Sequence, residues 1–309
     1  YSNSSWTQVG SDIDGEAASD LSGYSVSINS AGDRVAIGAN GNDGTGSNAG
    51  HVRVYEYSNS SWTQVGSDID GEAAGNYSGF SVSMDSAGDR VAIGAYMNNG
   101  TGSLAGHVRV YSLVQYTYVP DDNFEQALID LGYDDVLDDY VVTDSINTVT
   151  VLDVENDSIS DLTGIQSFTA LTTLQCYNNQ LVSLDVSNNT ALTYLSCHNN
   201  QLVSLDVSNN TALTTLYCYR NQLTSLDVSN NTALTSLYCY GSSSTSSFGE
   251  TNQITALDVS NNTALDRLAC SDNQLTTLDV SNNTLLTYLS CHNNHLTTLD
   301  VSNNTALTT

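Results

Sequence analysis

Lysine is absent from this 309-residue chain, and its six basic residues, all arginine, accompany 34 acidic ones. The formal net charge is −28. A surface of this sign repels phosphate backbones and anionic lipid headgroups, so neither nucleic acid nor direct membrane insertion is expected. It suits a solvated extracellular surface, on which acidic groups maintain solubility with or without bound calcium.

Long apolar runs are also missing. No stretch of 18 apolar residues exists, which predicts the absence of a membrane-spanning helix. The chain does not open with the charged and apolar segments of a signal peptide. It begins at the start of one repeat and stops inside another, so we expect further sequence at both ends. We expect a secreted or cell-surface protein whose export signal or anchor lies outside this chain.

Catalytic motifs are missing as well. The sequence has no GxSxG, no HExxH and no Walker loop. Histidines occupy repeat positions: His51 and His107 are equivalent, and His198 and His292 share a column. An enzyme needs a nucleophile with its base, an acid–base pair or a metal centre, and none is recognisable, so we predict no enzymatic activity.

What is present is repetition, and the first system covers residues 1–56 and 57–112. Both copies begin YSNSSWTQVGSDIDGEAA. Alternating stretches such as 24–28, 34–37 and 51–55 predict strands, so each copy is expected to form one small antiparallel sheet.

Within these copies, one motif resembles a known family. Gly79-Phe80-Ser81-Val82 and the following 90–95, with counterparts at 23–26 and 37–39, resemble the FG-GAP repeats of integrin-type β-propellers. The resemblance implies two propeller-like blades. The Asp-rich calcium loop of that family is replaced here by Ser30-Ala31-Gly32-Asp33, so the resemblance carries no calcium site.

The second repeat system occupies residues 149–309. After a first turn at 149–170, the pattern L-x-x-L-x-C-x-x-N-x-L-x-x-L-D-V-S-x-N-x-x recurs every 21 residues, interrupted once by a Ser-rich insertion from Gly241 to Glu250. This is the leucine-rich-repeat signature. We therefore predict a mainly β fold: a leucine-rich-repeat solenoid, truncated at its C-terminus, preceded by the two antiparallel blades.

The cysteine column gives the solenoid a family resemblance. The column consists of Cys176, Cys197, Cys218, Cys239, Cys270 and Cys291. With the LDVS segments that follow, it resembles the 21-residue cysteine-ladder repeats of bacterial internalins. The resemblance implies a secreted or wall-attached adhesin-like protein that binds through the concave face of the solenoid.

Residues 113–148 link the two systems. Pro120-Asp121-Asp122 followed by Phe124 and Leu128 has helical spacing with an acidic start, which predicts a helical cap over the first turn. The next loop carries Asp134, Asp135, Asp138 and Asp139. Because EF-hand spacing is lacking, these residues are interpreted as solvated surface. Calcium binding is the alternative.

Stacked turns convert sequence columns into physical ladders about 4.8 Å apart. The cysteines are interpreted as buried core thiols, because strands in register keep them too far apart for disulfides and a linear column cannot surround zinc. In the aspartate column, Asp185 to Asp300, neighbouring carboxylates repel one another, so another interaction must offset this repulsion. Local hydrogen bonds are the first explanation and a calcium ladder is the second.

The candidate binding residues face outward from the strands. Alternate residues of a strand point to opposite faces, so Leu174 and Cys176 are predicted to point inward and Tyr177 outward. The outward positions collect aromatic, His and Arg side chains, which are typical of binding surfaces. They are Tyr177, Tyr194, His198, Tyr217, Tyr219, Tyr238, Tyr240, Arg267, Tyr288 and His292.

Three functions fit this face. The leading hypothesis is adhesion or recognition of a protein partner, with the 241–250 insertion as a lip beside the face. A glycan-binding module of a larger polysaccharide-processing protein is the second, and a structural spacer is the third.

Overall fold

The computed structural model describes residues 4–241 and 251–309. They form two compact units, Tyr1–Leu113 and Val114–Thr309. Most of the proposed lip, residues 242–250, lies outside the described residues. The fold is mainly β, as predicted: antiparallel sheets in the N-terminal unit and one parallel solenoid sheet in the other.

The N-terminal unit contains two antiparallel sheets whose strands follow each other in sequence order. The four-stranded sheet comprises β1 (Ser22–Ile28), β2 (Arg34–Ala39), β3 (His51–Ser58) and β4 (Ser61–Asp70). The three-stranded sheet comprises β5 (Ser81–Met84), β6 (Arg90–Ala95) and β7 (His107–Ser112). Ala36 and Val52 from the first sheet and Val91 and Ile93 from the second form the core between them.

The sheets do not coincide with the sequence copies, contrary to our expectation of one sheet per copy. Strand β4 belongs to the second copy but completes the sheet of the first. The cause is a tight hairpin at Asn59 and Ser60, whose φ values of 50° and 65° suit a two-residue turn between paired strands. Ser58 and Ser61 flank this turn as partners.

A cap precedes the solenoid. Strands β8 (Tyr116–Tyr118) and β9 (Tyr140–Val142) pair antiparallel around helix α1 (Asp122–Asp130), and α2 (Thr143–Ile146) follows. Asp121 caps α1 with Oδ1, which accepts the Phe124 N–H at 3.0 Å, while its Oδ2 accepts the Ser160 N–H at 2.9 Å. One carboxylate therefore holds the helix on the first turn of the solenoid.

The solenoid sheet has seven parallel strands in sequence order, each only three residues long. They are β10 (Val151–Asp153), β11 (Thr173–Gln175), β12 (Tyr194–Ser196), β13 (Thr215–Tyr217), β14 (Ser236–Tyr238), β15 (Arg267–Ala269) and β16 (Tyr288–Ser290). Leu174 pairs with Leu195 and Leu195 with Leu216, so equivalent residues stack without slippage.

Leucine, valine and cysteine columns fill the interior, and the turns are tied together by two asparagine ladders. In the first ladder, Asn200 Nδ2 donates to the Cys176 and Cys197 carbonyls at 2.9 and 3.1 Å, while its Oδ1 accepts the Leu181 N–H at 3.0 Å. Each such asparagine bonds its own turn to the preceding one, which satisfies backbone groups that the bend would leave unpaired.

Candidate binding face

The predicted site residues lie on one surface of the solenoid sheet. We call it the strand face: the outward side chains of β11 to β16 and the outward residue that follows each strand by two positions. Leu174 and Cys176 are fully buried, whereas Thr173, Gln175 and Tyr177 are partly exposed, as the alternation predicts. Because the register does not slip, equivalent outward residues of successive turns are immediate neighbours.

A continuous stack of four rings runs along this face. Tyr177 and His198 stack with centroids 4.4 Å apart, and His198 and Tyr219 follow at 4.2 Å. Tyr219 and Tyr240 continue the stack at 4.2 Å with an interplanar angle of 11°. The neighbours cover both faces of His198 and Tyr219, so these two rings present edges and polar atoms outward.

A second group of rings runs beside the stack. Tyr194 meets Tyr217 edge-on with centroids 5.7 Å apart, and Tyr217 meets Tyr238 edge-on at 4.9 Å. Edge-to-face contacts hold such rings in place more firmly than area burial alone. Six tyrosines and one histidine thus form a pre-ordered aromatic surface over four successive turns.

The stack is electrically neutral at physiological pH. Burial, with a smaller contribution from Arg220, lowers the pKa of His198 to about 4. Its Nδ1 lies 2.9 Å from Ser196 Oγ, which is fully buried. Burial also raises the pKa of Tyr219, so its hydroxyl stays protonated.

The stack stops at β15, where the rings give way to small residues. Ala269 and Ser271 take the positions held by Tyr238 and Tyr240 one turn earlier. They form part of the lining of an open pocket of about 620 Å³. The pocket is also lined by Tyr240, whose outer ring face has no stacking partner among the described rings, and by Tyr288 and His292 from the next turn.

The two remaining predicted residues at this end differ in setting. His292 is exposed, and it lines the pocket. Arg267 is exposed and lies outside the pocket lining, with Nε 3.6 Å from Asp266 Oδ2. Arg267 nevertheless pairs in register with Tyr288 of the next strand, so it lies on the strand face beside an aromatic residue.

Sequence reasoning missed two charged residues at the rim of the pocket, Arg220 and Asp272. Both follow the last outward ring position of their turns, and both have left-handed backbone, with φ of 52° and 55°. Asn178, Asn199 and Asn293 share that conformation in other turns. The signal was available in the sequence, because the column carries a charged residue in place of Asn at these two turns.

The cysteine column is core, in agreement with the interpretation from spacing. All six thiols are free, and five of them are buried. Burial raises the pKa of Cys197 and of Cys239 to about 12, so they remain protonated and unreactive.

The aspartate column is held by local hydrogen bonds. Asp206 Oδ1 accepts the Ser208 N–H at 2.9 Å, and Asp300 accepts from Ser302 in the same way. These bonds from serine lower the pKa of both carboxyls. These are the local hydrogen bonds of the first explanation.

Acidic groups elsewhere were considered as ligands. In the cap, Glu125 is buried and its Oε1 accepts the Asp138 and Tyr140 N–H groups at 2.9 and 3.1 Å, which shapes the acidic loop. Within the described residues, the group with metal-ligand spacing is Glu16, His51 and Asp68 in the N-terminal unit. Arg53 already contacts both of its carboxylates, so an ion cluster accounts for it.

The comparisons with known sequences concern the solenoid. The model of the LVIVD repeat family matches residues 193–221 and 287–309. Internalin J of Listeria monocytogenes serotype 4b (strain F2365) is 39% identical over 72 residues, which are 23% of this chain and 8% of that protein. These matches do not support the FG-GAP resemblance predicted for residues 1–112.

Solved structures resemble the chain over a longer stretch. The functional domain of InlJ from Listeria monocytogenes, which includes a cysteine ladder, is 37% identical over 63% of this chain and 51% of its own, with a TM-score of 0.42. Internalin C2 from the same species is 22% identical over 62% of this chain and 82% of its own, with a TM-score of 0.50. The solenoid is thus similar in fold to internalin C2. Among the described residues, no helix has the length and apolarity needed to cross a membrane.

Proposed function

We propose that this chain is a non-catalytic binding protein that recognises a protein partner through the strand face. The observation that carries the proposal is the four-ring stack from Tyr177 to Tyr240, whose centroids lie 4.2–4.4 Å apart along the parallel sheet. Rings fixed before binding lose little conformational entropy when a partner arrives, and Tyr is enriched where binding energy concentrates.

The arrangement of the rings favours a protein over a sugar. Sugars bind aromatic residues by stacking on ring faces, but both faces of His198 and Tyr219 are covered by neighbouring rings. What the stack presents is a row of ring edges, hydroxyls and neighbouring polar groups, which suits the mixed surface of another protein.

One observation favours a glycan as the second candidate. The outer face of Tyr240 opens on the 620 Å³ pocket, beside Ser271 and Asp272. A pyranose ring could stack there and exchange hydrogen bonds with these polar groups. This hypothesis concerns one end of the face, whereas the protein hypothesis uses the whole of it.

A secreted or cell-surface location is part of the proposal. The net charge of −28 supports it, and so does the similarity of the solenoid to internalins. The buried, protonated thiols are compatible with it, because they resist oxidation outside the cell.

The test compares two arrays probed with the purified chain, one of cell-surface ectodomains and one of glycans. The variant carries Tyr217, Tyr219, Tyr238 and Tyr240 all changed to Ala. The matched control carries Thr190, Thr211, Thr232 and Thr263 changed to Ala, at exposed positions of the same turns or their neighbours.

We expect ectodomain binding by the wild type and the threonine control and its loss in the tyrosine variant. Binding of glycans alone would favour the second candidate. Equal ectodomain binding by both variants would contradict the use of this face.

A further inference from the structure

The column that holds the four-ring stack continues past it and carries a ring again one turn later. Its positions in successive turns are Tyr177, His198, Tyr219, Tyr240, Ser271 and His292. The Gly241 N–H donates to the Ser271 carbonyl and the Asp272 N–H to the His292 carbonyl, each at 3.0 Å, so the register is kept through these turns. Ser271 is therefore a position without a ring between two positions that have one. We call the space above it the ring gap.

The ring gap has the thickness of one planar group. Equivalent residues of successive turns are about 4.8 Å apart, so Tyr240 and His292 are separated by about 9.6 Å along the column. A ring placed midway would lie about 4.8 Å from each of them. The existing rings of the stack have centroids 4.2–4.4 Å apart, so one further ring fits the same spacing.

Two identical segments of the solenoid indicate how such a ring would be held. Residues 193–200 and 287–294 both read TYLSCHNN. In the first segment, His198 stacks on Tyr177 of the preceding turn, with an interplanar angle of 10°. In the second, His292 has Ser271 at the position of that tyrosine. A ring in the gap would stand toward His292 as Tyr177 stands toward His198.

The walls of the gap suit a large flat side chain. Tyr240 closes one side with its ring, and His292 of the next turn but one lines the other. Ala269 and Ser271 lie between them and are only 3% and 5% exposed, so they form a floor and fill little of the space. The pocket above this floor has a volume of about 620 Å³. It is therefore open to a side chain that enters from outside.

The charges at the rim favour a neutral occupant with a polar edge. Arg220 and Asp272 both line the pocket and carry opposite charges, so neither a cation nor an anion is favoured by their sum. Asp272 Oδ1 accepts a hydrogen bond of 2.8 Å from Asn293 Nδ2, which fixes the carboxylate at the rim. A carboxylate is an acceptor for the N–H of an indole or the O–H of a phenol. Tryptophan and tyrosine side chains meet both conditions.

We propose that the ring gap takes one aromatic side chain of the protein partner, Trp or Tyr, which completes the stack between Tyr240 and His292. This inference rests on the proposed function, since the ring belongs to the recognised protein. Stacking on both faces and removal from water are typical of the few aromatic residues that dominate the energy of an interface. The gap is then the position that sets which sequence the strand face recognises.

The first test uses small probes on the purified chain. They are N-acetyl-L-tryptophanamide, the planar cation N-acetyl-L-argininamide and the sugar methyl β-D-glucopyranoside. Saturation-transfer NMR should show the tryptophan probe binding with a Kd on the order of 1 mM. The imidazole protons of His292 should move upfield, because a ring stacked on them shields them. Equal or tighter binding of either other probe, or no binding of the tryptophan probe, would overturn the proposal.

Two variants at one position separate the gap from the rest of the face. Ser271→Tyr places a ring in the gap and should weaken binding of the tryptophan probe about tenfold or more. Ser271→Ala is the matched control, which leaves the gap open and should bind the probe like the wild type. Melting temperatures show that both variants are folded. Equal probe binding by the two variants would place the probe elsewhere and contradict the proposal.

The same variants distinguish this inference from the proposed function. An ectodomain that binds the wild type should bind Ser271→Ala equally and Ser271→Tyr about tenfold more weakly. Equal binding of that ectodomain by Ser271→Tyr would refute the role of the gap and leave recognition by the strand face intact. If no ectodomain binds, but the tryptophan probe does and Ser271→Tyr blocks it, the proposed function fails and the gap is confirmed as a site for an aromatic ring.

Discussion

At the scale of single residues, asparagine has a different role in each of the two ladders of the solenoid. Asn200 Nδ2 donates to the Cys176, Cys197 and His198 carbonyls, and its Oδ1 accepts the buried Leu181 N–H. Asn210 Nδ2 donates to the Val186 and Asn189 carbonyls, but its buried Oδ1 has no partner among the described residues. The first ladder therefore satisfies a backbone donor that the second ladder does not.

Replacing these residues should reveal the difference. Asn200→Ala leaves the Leu181 N–H unpaired in the core and should lower the free energy of unfolding by about 3 kcal/mol. Asn210→Ala leaves carbonyls that still accept backbone bonds from Asn189 and Leu192, so about 1 kcal/mol is expected. Urea unfolding followed by circular dichroism measures both. A larger loss for Asn210→Ala would refute this ranking.

His198 gives a pH dependence with a defined sign. Its pKa is lowered from 6.5 to about 4, so the unfolded chain binds a proton more readily than the folded one. Its contribution to stability is complete above pH 6.5 and is lost as the pH falls toward 4. His198→Phe keeps a ring in the stack and should reduce the slope of melting temperature against pH between pH 4 and 6.5. An unchanged slope in that variant would show that another group titrates.

At the scale of elements, no solenoid strand is long enough to be stable alone. Each has three residues, and its partners are the equivalent strands of the adjacent turns. Local propensity is therefore secondary to the 21-residue period, which sets which residues stack. This explains why the parallel register and the buried cysteines were predictable from the sequence. The cap helix was predictable from its own spacing and acidic start.

Other features were not predictable, for physical reasons. Residues 5–14 and 61–70 are identical, so local sequence cannot tell which of them becomes a strand. That depends on the hairpin at Asn59 and Ser60, which follows β3 directly. The pocket was missed because it arises where Ala269 and Ser271 are too small to continue the rings, and its volume depends on side chains from neighbouring turns.

Gly241, the first residue of the insertion, lies where the next turn leaves no space for a side chain. A Cβ atom there would lie 1.9 Å from the Asp272 carbonyl oxygen of the next turn. Because that neighbour is backbone, it cannot move aside without displacing the turn. Gly241→Ala should destabilise the chain by about 1–3 kcal/mol. Gly102→Ala, where a Cβ meets nothing within 4 Å, is the control, and equal melting temperatures for the two variants would contradict the expectation.

At the scale of the whole molecule, the dominant property is like charge at short spacing. The net charge is −28, and the aspartate column repeats its carboxylates with each turn. Hydrogen bonds from serine stabilise each carboxylate locally but leave the repulsion between neighbours in place. Mobile ions are the remaining means of reducing that repulsion.

Salt and chelator should therefore act differently on thermal stability. Raising NaCl from about 0.01 M to about 1 M shortens the Debye length from about 30 Å to about 3 Å, below the spacing of the column. The melting temperature should rise over this range. A calcium chelator at constant ionic strength should leave it unchanged, because serine N–H groups hold the carboxylates. A fall on chelation would instead favour the calcium ladder.

The 21-residue period has a consequence for how such a chain can change over generations. Residues 180–193 and 201–214 are identical, so unequal recombination within the corresponding stretches of the gene would join equivalent positions. An exchange between them removes or adds one whole turn, and every ladder remains in register across the junction. The number of rings on the strand face can thus change by the gain or loss of whole turns. Each resulting chain keeps a complete core.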